Sequence, residues 1–214
     1  MNLNMICGHS FIPERINSES VVLDLGANRG KFSKGMLDEY SCTVVAYEPS
    51  LLLCQNELSQ LDKEYENFSF NQNAVWSENK KMILADYYDS NKNTSGVANS
   101  LLSVNTEVRF DGRFIREKYE VECLSLEEIL ESHEKIDLLK IDVEGSEIEL
   151  LTKTSEEQIK KCDQICVEFH LFCQGDLDIT ITKQDLEQIR SRLHGLGFNS
   201  VKTNQKHPDY LFYQ

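Results

Sequence analysis

The chain has 214 residues, 40% hydrophobic and 27% charged, with three prolines; it is long enough to bury a full core and is composed like an ordinary globular protein, not a disordered or collagen-like one. A formal charge of −14 argues against non-specific attraction to nucleic acid or to an anionic membrane, since neither polyanion gains from approaching a net-negative surface. The seven cysteines, at 7, 42, 54, 123, 162, 166 and 173, are scattered with no CxxC pair, so reduced core thiols are expected and a zinc ribbon or disulfide scaffold is not.

The opening MNLNMICGHSFIPERINSES has no basic segment followed by an apolar one, and no apolar run approaches the roughly 18 residues needed to span a bilayer. The reading is a soluble cytoplasmic protein with an N-terminal extension, 1–20, and one domain, 21–214. VVLDL (21–25) reads as a first strand and KFSKGMLDEY as its helix. CTVVAYEP (42–49) reads as a second strand stopped by Pro49, and LLLCQNELSQLD as a helix with Ser50 as N-cap. From 65 to 125, FSFNQNAVW, KKMILADYY and KYEVECL read as strands, giving a third sheet strand and an inserted hairpin, with a turn-rich DSNKNTSGVANS between them. SLEEILESHE opens as a capping-box helix, Ser125 with Glu128. KIDLLKIDVEGSEIELL gives a continuous apolar strand, 136–141, turning at Gly145 into a helix that Ser146 can cap. DQICVEFHLF is a further buried strand, DLEQIRSRLHGLGF a helix ended by glycine, and SVKT with DYLFYQ a closing hairpin. Alternating strands and helices predict an α/β fold with a largely parallel sheet.

The segment VVLDLGANRGKF carries the chemistry. Gly26 and Gly30 frame a turn between a strand and a helix, where backbone can approach a ligand closely, although a plain tight turn is the alternative. Asp24 lies inside the apolar strand, where an ionised carboxylate is costly unless paired or hydrogen-bonded. Glu48 follows about twenty residues after the loop, where doubly wound folds place an acid to accept hydrogen bonds from ribose hydroxyls. A nucleoside-containing cofactor follows. Neither GxGxxG nor GxxxxGK[ST] occurs, which disfavours a dinucleotide and a P-loop nucleotide.

VVLDLGANRGKF, VVAYEPS, NQNAVW, SLEEILESHEKIDLLKIDVEGSEIELL and VEFH, in this order, resemble the FkbM family of S-adenosylmethionine-dependent methyltransferases. KIDVEGSE is the most family-specific of these, and the first 20 residues lie outside the resemblance. The resemblance implies a Rossmann-like class I methyltransferase fold, with a mostly parallel seven-stranded sheet, helices on both faces and an antiparallel last strand. It implies S-adenosylmethionine across the carboxyl ends of the strands. Asp24, Gly26, Ala27, Asn28 and Gly30 would surround its methionine portion, and Glu48 would bind the ribose. Pro49 and Ser50 would shape the adenine side, Asn73 and Ala74 would flank the ring, and Asp142 would lie near the methyl sulfonium. The implied acceptor is the hydroxyl of a sugar or another small metabolite.

His170 is the candidate base for such a hydroxyl: it follows Glu168 by two residues, so both project to one face at the end of a strand, and its ordinary pKa near 6.5 suits proton abstraction. A structurally held histidine is the alternative. Asp142 completes this catalytic group. Asp142, Glu144, Glu168 and His170 could also hold a divalent cation such as magnesium, the alternative being a solvated acidic rim. Asn99, Ser100 and Leu101 read as reaching the acceptor side or as a plain turn, and Phe110, Phe114 and Tyr119 as pocket walls or packing. The competing functions are a nicotinamide-dependent oxidoreductase and a non-catalytic S-adenosylmethionine-binding module.

Overall fold

A computed structural model describes residues 1–89, 94–95, 99–101, 114–170, 181–205 and 207–214. Strands β1 (Asn4–Ile6) and β2 (His9–Phe11) form an antiparallel hairpin. Its two-residue turn places both Cys7 (φ 49°) and Gly8 (φ 93°) in the left-handed region, the geometry that suits the twist of paired strands. The chain continues through β3 (Val21–Leu25), α1 (Lys31–Tyr40) and β4 (Thr43–Tyr47). A helical segment follows: α2 (Leu51–Leu53), a π-helical turn (Cys54–Leu58) and α3 (Ser59–Glu64). Ser50 caps it as expected, its Oγ accepting from the Leu53 N–H.

The remaining elements are β5 (Phe68–Asn71), β6 (Ala74–Trp76), β7 (Lys80–Asp89), β8 (Thr94–Ser95), β9 (Phe114–Ser125), α4 (Leu126–Glu131), β10 (Leu138–Ile141), α5 (Glu147–Lys153), α6 (Glu156–Ile159), β11 (Gln164–Glu168), α7 (Lys183–Gly195), β12 (Asn199–Lys202) and β13 (Asp209–Tyr213). The main sheet runs β12-β13-β11-β10-β3-β4-β5. Its pairings are parallel except those of β13, which runs antiparallel to both neighbours. The run FSFNQNAVW divides: β5 becomes the edge of this sheet, whereas β6 joins β7, β8 and β9 in a second, four-stranded sheet. There β7 and β9 form the inserted hairpin.

The near-continuous apolar character of β3, β10 and β11, broken by Asp24 in β3 and Lys140 in β10, reflects burial on both faces, as a parallel sheet covered by helices requires. One core joins the sheet to α4, α5, α6 and α7 through residues such as Leu130, Leu150 and Leu193. The other lies under α1 and the π-helical turn, with Phe32, Met36 and Leu58. Ile6, Phe11, Ile12 and Ile16 belong to this second core, so the N-terminal segment packs as a layer of the domain. Ile12 N–H donates to the buried Gln164 Oε1 at 2.6 Å, fixing that layer to β11.

Half of the expected capping box at Ser125 forms: its Oγ accepts from Glu128 N–H at 3.1 Å, while its own N–H donates to Asn79 Oδ1. At α5 the expected Ser146 cap is replaced. Ser146 Oγ is buried with no hydrogen-bond partner among the described residues. The Glu147 carboxylate instead accepts from Gly145 N–H at 3.0 Å and Val143 N–H at 3.2 Å. The longer side chain reaches back over a turn in which Glu144 and Gly145 both have positive φ.

Candidate active site

From β3 the chain order runs outward to β4 and β5 on one side and to β10 and β11 on the other, so β3 and β10 flank the point where the sheet reverses. In open α/β sheets ligands bind outside the carboxyl ends of the strands at such a point. A cleft lies there, and Gly26, Asn28, Glu48, Pro49, Asn73, Ala74 and Asp142 line it, seven of the positions expected to bind cofactor. Tyr47, Val75, Leu84, Asn99, Leu101 and Glu144 also contribute. Ser100 Oγ donates to the Glu144 carbonyl at 2.8 Å and so ties the 99–101 segment to the end of β10.

Asp24, Ala27, Gly30 and Ser50 are not among the residues that line it. Asp24 is fully buried; Ser33 Oγ donates to its Oδ2 at 2.6 Å and Lys140 Nζ stands 3.0 Å from its Oδ1. Asp24 was expected to surround the methionine portion; its carboxylate is bonded within the protein and holds the loop from beneath. Lys140 was read as part of an apolar strand, yet register sets it opposite Asp24. Its ammonium also donates to Gly26 carbonyl at 2.8 Å. Burial alone would lower its pKa, but the carboxylates of Asp24 and Asp142 hold it above the ordinary lysine value. A lone lysine in a buried strand beside a strand with a lone aspartate was the signal available.

The loop's own N–H groups are largely engaged by the end of β4. Gly26 and Ala27 both donate to Tyr47 carbonyl, and Asn28 N–H donates to Glu48 Oε2 at 2.8 Å. Ser50 N–H donates to the other Glu48 oxygen at 2.9 Å. Glu48 is thus a buried carboxylate with both oxygens pinned by backbone and turned along the cleft wall. Burial pushes its pKa to about 7, against the lowering effect of those two donors.

At the β10 and β11 ends the catalytic candidates meet. His170 Nε2 lies 3.5 Å from Glu144 Oε2, 3.7 Å from Glu168 Oε1 and 3.9 Å from Asp142 Oδ1. Its Nδ1 lies 2.9 Å from Oε1 of Glu147, a carboxylate that sequence reasoning did not single out. Desolvation lowers the His170 pKa, but Glu147, Glu144 and Asp142 outweigh it and raise it to about 10. These carboxylates favour the protonated imidazole over the ordinary value near 6.5. Burial, then the Asp142 charge, raises the Glu168 carboxyl. Burial likewise opposes ionisation of Asp142, yet Lys140, His9 and His170 hold its pKa below the usual carboxylate range.

His9 was the larger omission. From β2 its Nε2 reaches within 3.5 Å of Asp142 Oδ2, and its ring stacks edge-on against Phe32 at 5.6 Å. Burial lowers its pKa, but the Asp142 and Cys166 contacts raise it to about 9. A separation of 133 residues hides this pair from any local pattern. Tyr119 lines a separate cavity with Leu51, Leu52 and Asp86. Phe110 and Cys173, and the side chain of Phe114, lie outside the described residues.

The sheet order with its reversed β13, and a cleft at the β3/β10 switch, define a class I methyltransferase fold. The FkbM methyltransferase domain matches residues 24–200. The chain belongs to the FkbM methyltransferase family. It is similar to the AMB antimetabolite synthetase AmbE of Pseudomonas aeruginosa, 28% identical over 180 residues, which are 71% of this chain and 8% of that protein. It is also similar in fold to a crystal structure of methyltransferase FkbM from Methylobacillus flagellatus KT, with a TM-score of 0.57 at 13% identity over 93% of this chain and 44% of that one. The chain thus spans less than half the length of these relatives. The family implies S-adenosylmethionine as methyl donor. No helix among the described residues is long and apolar enough to cross a membrane.

Proposed function

We propose that this protein transfers a methyl group from S-adenosylmethionine to a hydroxyl oxygen of a small-molecule acceptor, a saccharide or similar metabolite, in the cytoplasm. The observation that carries the reading is Glu48: a buried carboxylate at the end of β4, both oxygens fixed by backbone donors, on the wall of a cleft. Each oxygen keeps a second lone pair, which is what two adjacent ribose hydroxyls require. S-adenosylmethionine supplies a methyl group already activated as a sulfonium, so the chain's task is alignment and disposal of the acceptor proton. His170, already protonated, orders the carboxylates around it. Glu168, with a raised pKa and 36% side-chain exposure, is the group placed to pass that proton to water. The name of the AmbE relative, an antimetabolite synthetase, agrees with a small-molecule acceptor.

Glu48→Ala should weaken S-adenosylhomocysteine binding by about 1.5–3 kcal/mol, the worth of charge-assisted hydrogen bonds; calorimetry measures it, and an unchanged affinity removes the ribose assignment. Because the Glu48 pKa is about 7, affinity should also fall as pH drops from 8 to 6 and the carboxylate takes up a proton, and this slope should vanish in Glu48→Gln. Stabilisation by NAD but not by S-adenosylhomocysteine in a thermal-shift measurement would favour the oxidoreductase reading. Binding without turnover of any acceptor would favour the non-catalytic module.

A further inference from the structure

We propose that Glu147 is a positioning residue of the cleft: from the start of α5 it fixes the 143–145 turn on the cleft wall and joins it to His170, so that the ends of β10 and β11 are held as one piece. Its effect on the cofactor rests on the methyltransferase reading above; the hydrogen-bonded hub itself does not.

The Glu147 side chain is fully buried, which is costly for a carboxylate unless its oxygens are hydrogen-bonded. One oxygen collects most of the donors. Oε1 accepts from Gly145 N–H at 3.0 Å and from Val143 N–H at 3.2 Å, and His170 Nδ1 lies 2.9 Å from it; Oε2 faces His170 N–H at 3.5 Å. An oxygen that already accepts two backbone N–H groups is an acceptor toward the ring as well, so Nδ1 carries the hydrogen of that contact whatever the charge on the imidazole. Nε2 is thereby the ring atom turned toward Asp142, Glu144 and Glu168.

The turn is one that needs holding. Glu144 has φ 54° and Gly145 φ 116°; a left-handed residue with a side chain is disfavoured and persists where its surroundings over-determine it. Glu147 takes two of the turn's N–H groups, and Ser100 Oγ donates to the Glu144 carbonyl at 2.8 Å. Val143 and Glu144 line the cleft beside Asp142. Asp142 leaves no slack behind them, because the Gly26 backbone approaches it so closely that a Cβ on Gly26 would stand 1.8 Å from its carbonyl oxygen. A shift of the turn is passed directly to the glycine loop.

Reach and charge can be separated at this position. Glutamine keeps the length of the side chain and an oxygen able to accept at the place of Oε1; its amide group, at the place of Oε2, gives up only the longest of these contacts, that to His170 N–H. Aspartate keeps the charge but is one methylene shorter, so it cannot serve the turn and His170 together. The neighbouring Ser146 does not share the task, since its Oγ is buried with no hydrogen-bond partner among the described residues. Glutamine should therefore replace Glu147 and aspartate should not.

Calorimetry of S-adenosylhomocysteine binding to the full chain, with a proton–nitrogen correlation spectrum of the histidine rings and urea denaturation of the same variants, tests this. We expect Glu147→Gln to keep the affinity within about 3-fold and to retain the hydrogen-bonded Nδ1–H signal of His170, and Glu147→Asp to weaken binding about 10-fold or more and to lose that signal. Full affinity in Glu147→Asp, however much stability it loses, makes Glu147 a structural residue only and overturns the proposal. A loss in Glu147→Gln as large as in Glu147→Asp assigns the effect to charge and overturns it too. Should Glu147→Asp not fold, Glu147→Gln decides alone, by keeping both affinity and signal or by losing either. A wild-type chain whose His170 signal depends on Glu147 in this way, but which binds no S-adenosylhomocysteine, supports the hub and overturns the methyl-donor reading instead.

Discussion

Gly26→Ala should lower stability by at least about 3 kcal/mol and greatly weaken S-adenosylhomocysteine binding. Gly26 has φ 76°, and a Cβ there would stand 1.8 Å from the Asp142 carbonyl oxygen and 2.8 Å from its carbon. Both obstacles are backbone at the end of β10, so relief requires the β3 and β10 ends to separate at the point where the cleft opens. Gly30→Ala is the informative comparison. It has a similar φ of 67°, but its Cβ would meet Leu61 Cδ1 at 2.5 Å and Leu58 Cδ2 at 2.9 Å, the ends of side chains that can rotate. Urea denaturation of the two variants should show Gly26→Ala as clearly the more damaging; equal losses would mean that left-handed backbone strain alone explains both.

Lys140→Met should cost about 3–5 kcal/mol, because it strands a buried carboxylate without its counter-charge. The lysine side chain is 3% exposed and that of Asp24 0%. The Asp24 oxygen facing the ammonium has no hydrogen-bond partner among the described residues, so the ion pair is what compensates that oxygen. Removing both charges in Asp24→Asn/Lys140→Met should recover much of the loss, since replacing a buried pair is far milder than breaking one. A single-variant loss below about 1 kcal/mol in urea denaturation would show that the pair is not what supports the glycine loop.

What could be read from the sequence follows the range of each interaction. Strands β3, β4, β10 and β11 announce themselves because a parallel strand buried on both faces is a continuous apolar run, and Ser50 and Ser125 because a cap acts within one turn. The expected fold, a mostly parallel seven-stranded sheet with an antiparallel last strand, follows from those runs together with the family resemblance. Glu48 and Gly26 were legible because loop length and strand ends fix their place. Lys140 and His9 were not: the first depends on which residue lies opposite in a neighbouring strand, the second on where a remote hairpin packs. His170 was correctly brought beside Glu168, yet its protonation depends on Glu144, Asp142 and above all Glu147, which only the folded α5 turn delivers. Asp24 was singled out for its cost, but that cost is met from within the protein.

The hairpin of residues 4–11 lies before the span matched by the family, yet it supplies Ile6 and Phe11 to the core and His9 to Asp142. Its packing and its charge are therefore inseparable. Any change in length or sequence at this end of the chain that lifts β2 away would expose apolar surface and, in the same movement, withdraw His9 from Asp142 on the cleft wall. The N-terminal edge thus acts as a counter-ion built in secondary structure, and mutational tolerance there should track activity as closely as it tracks stability.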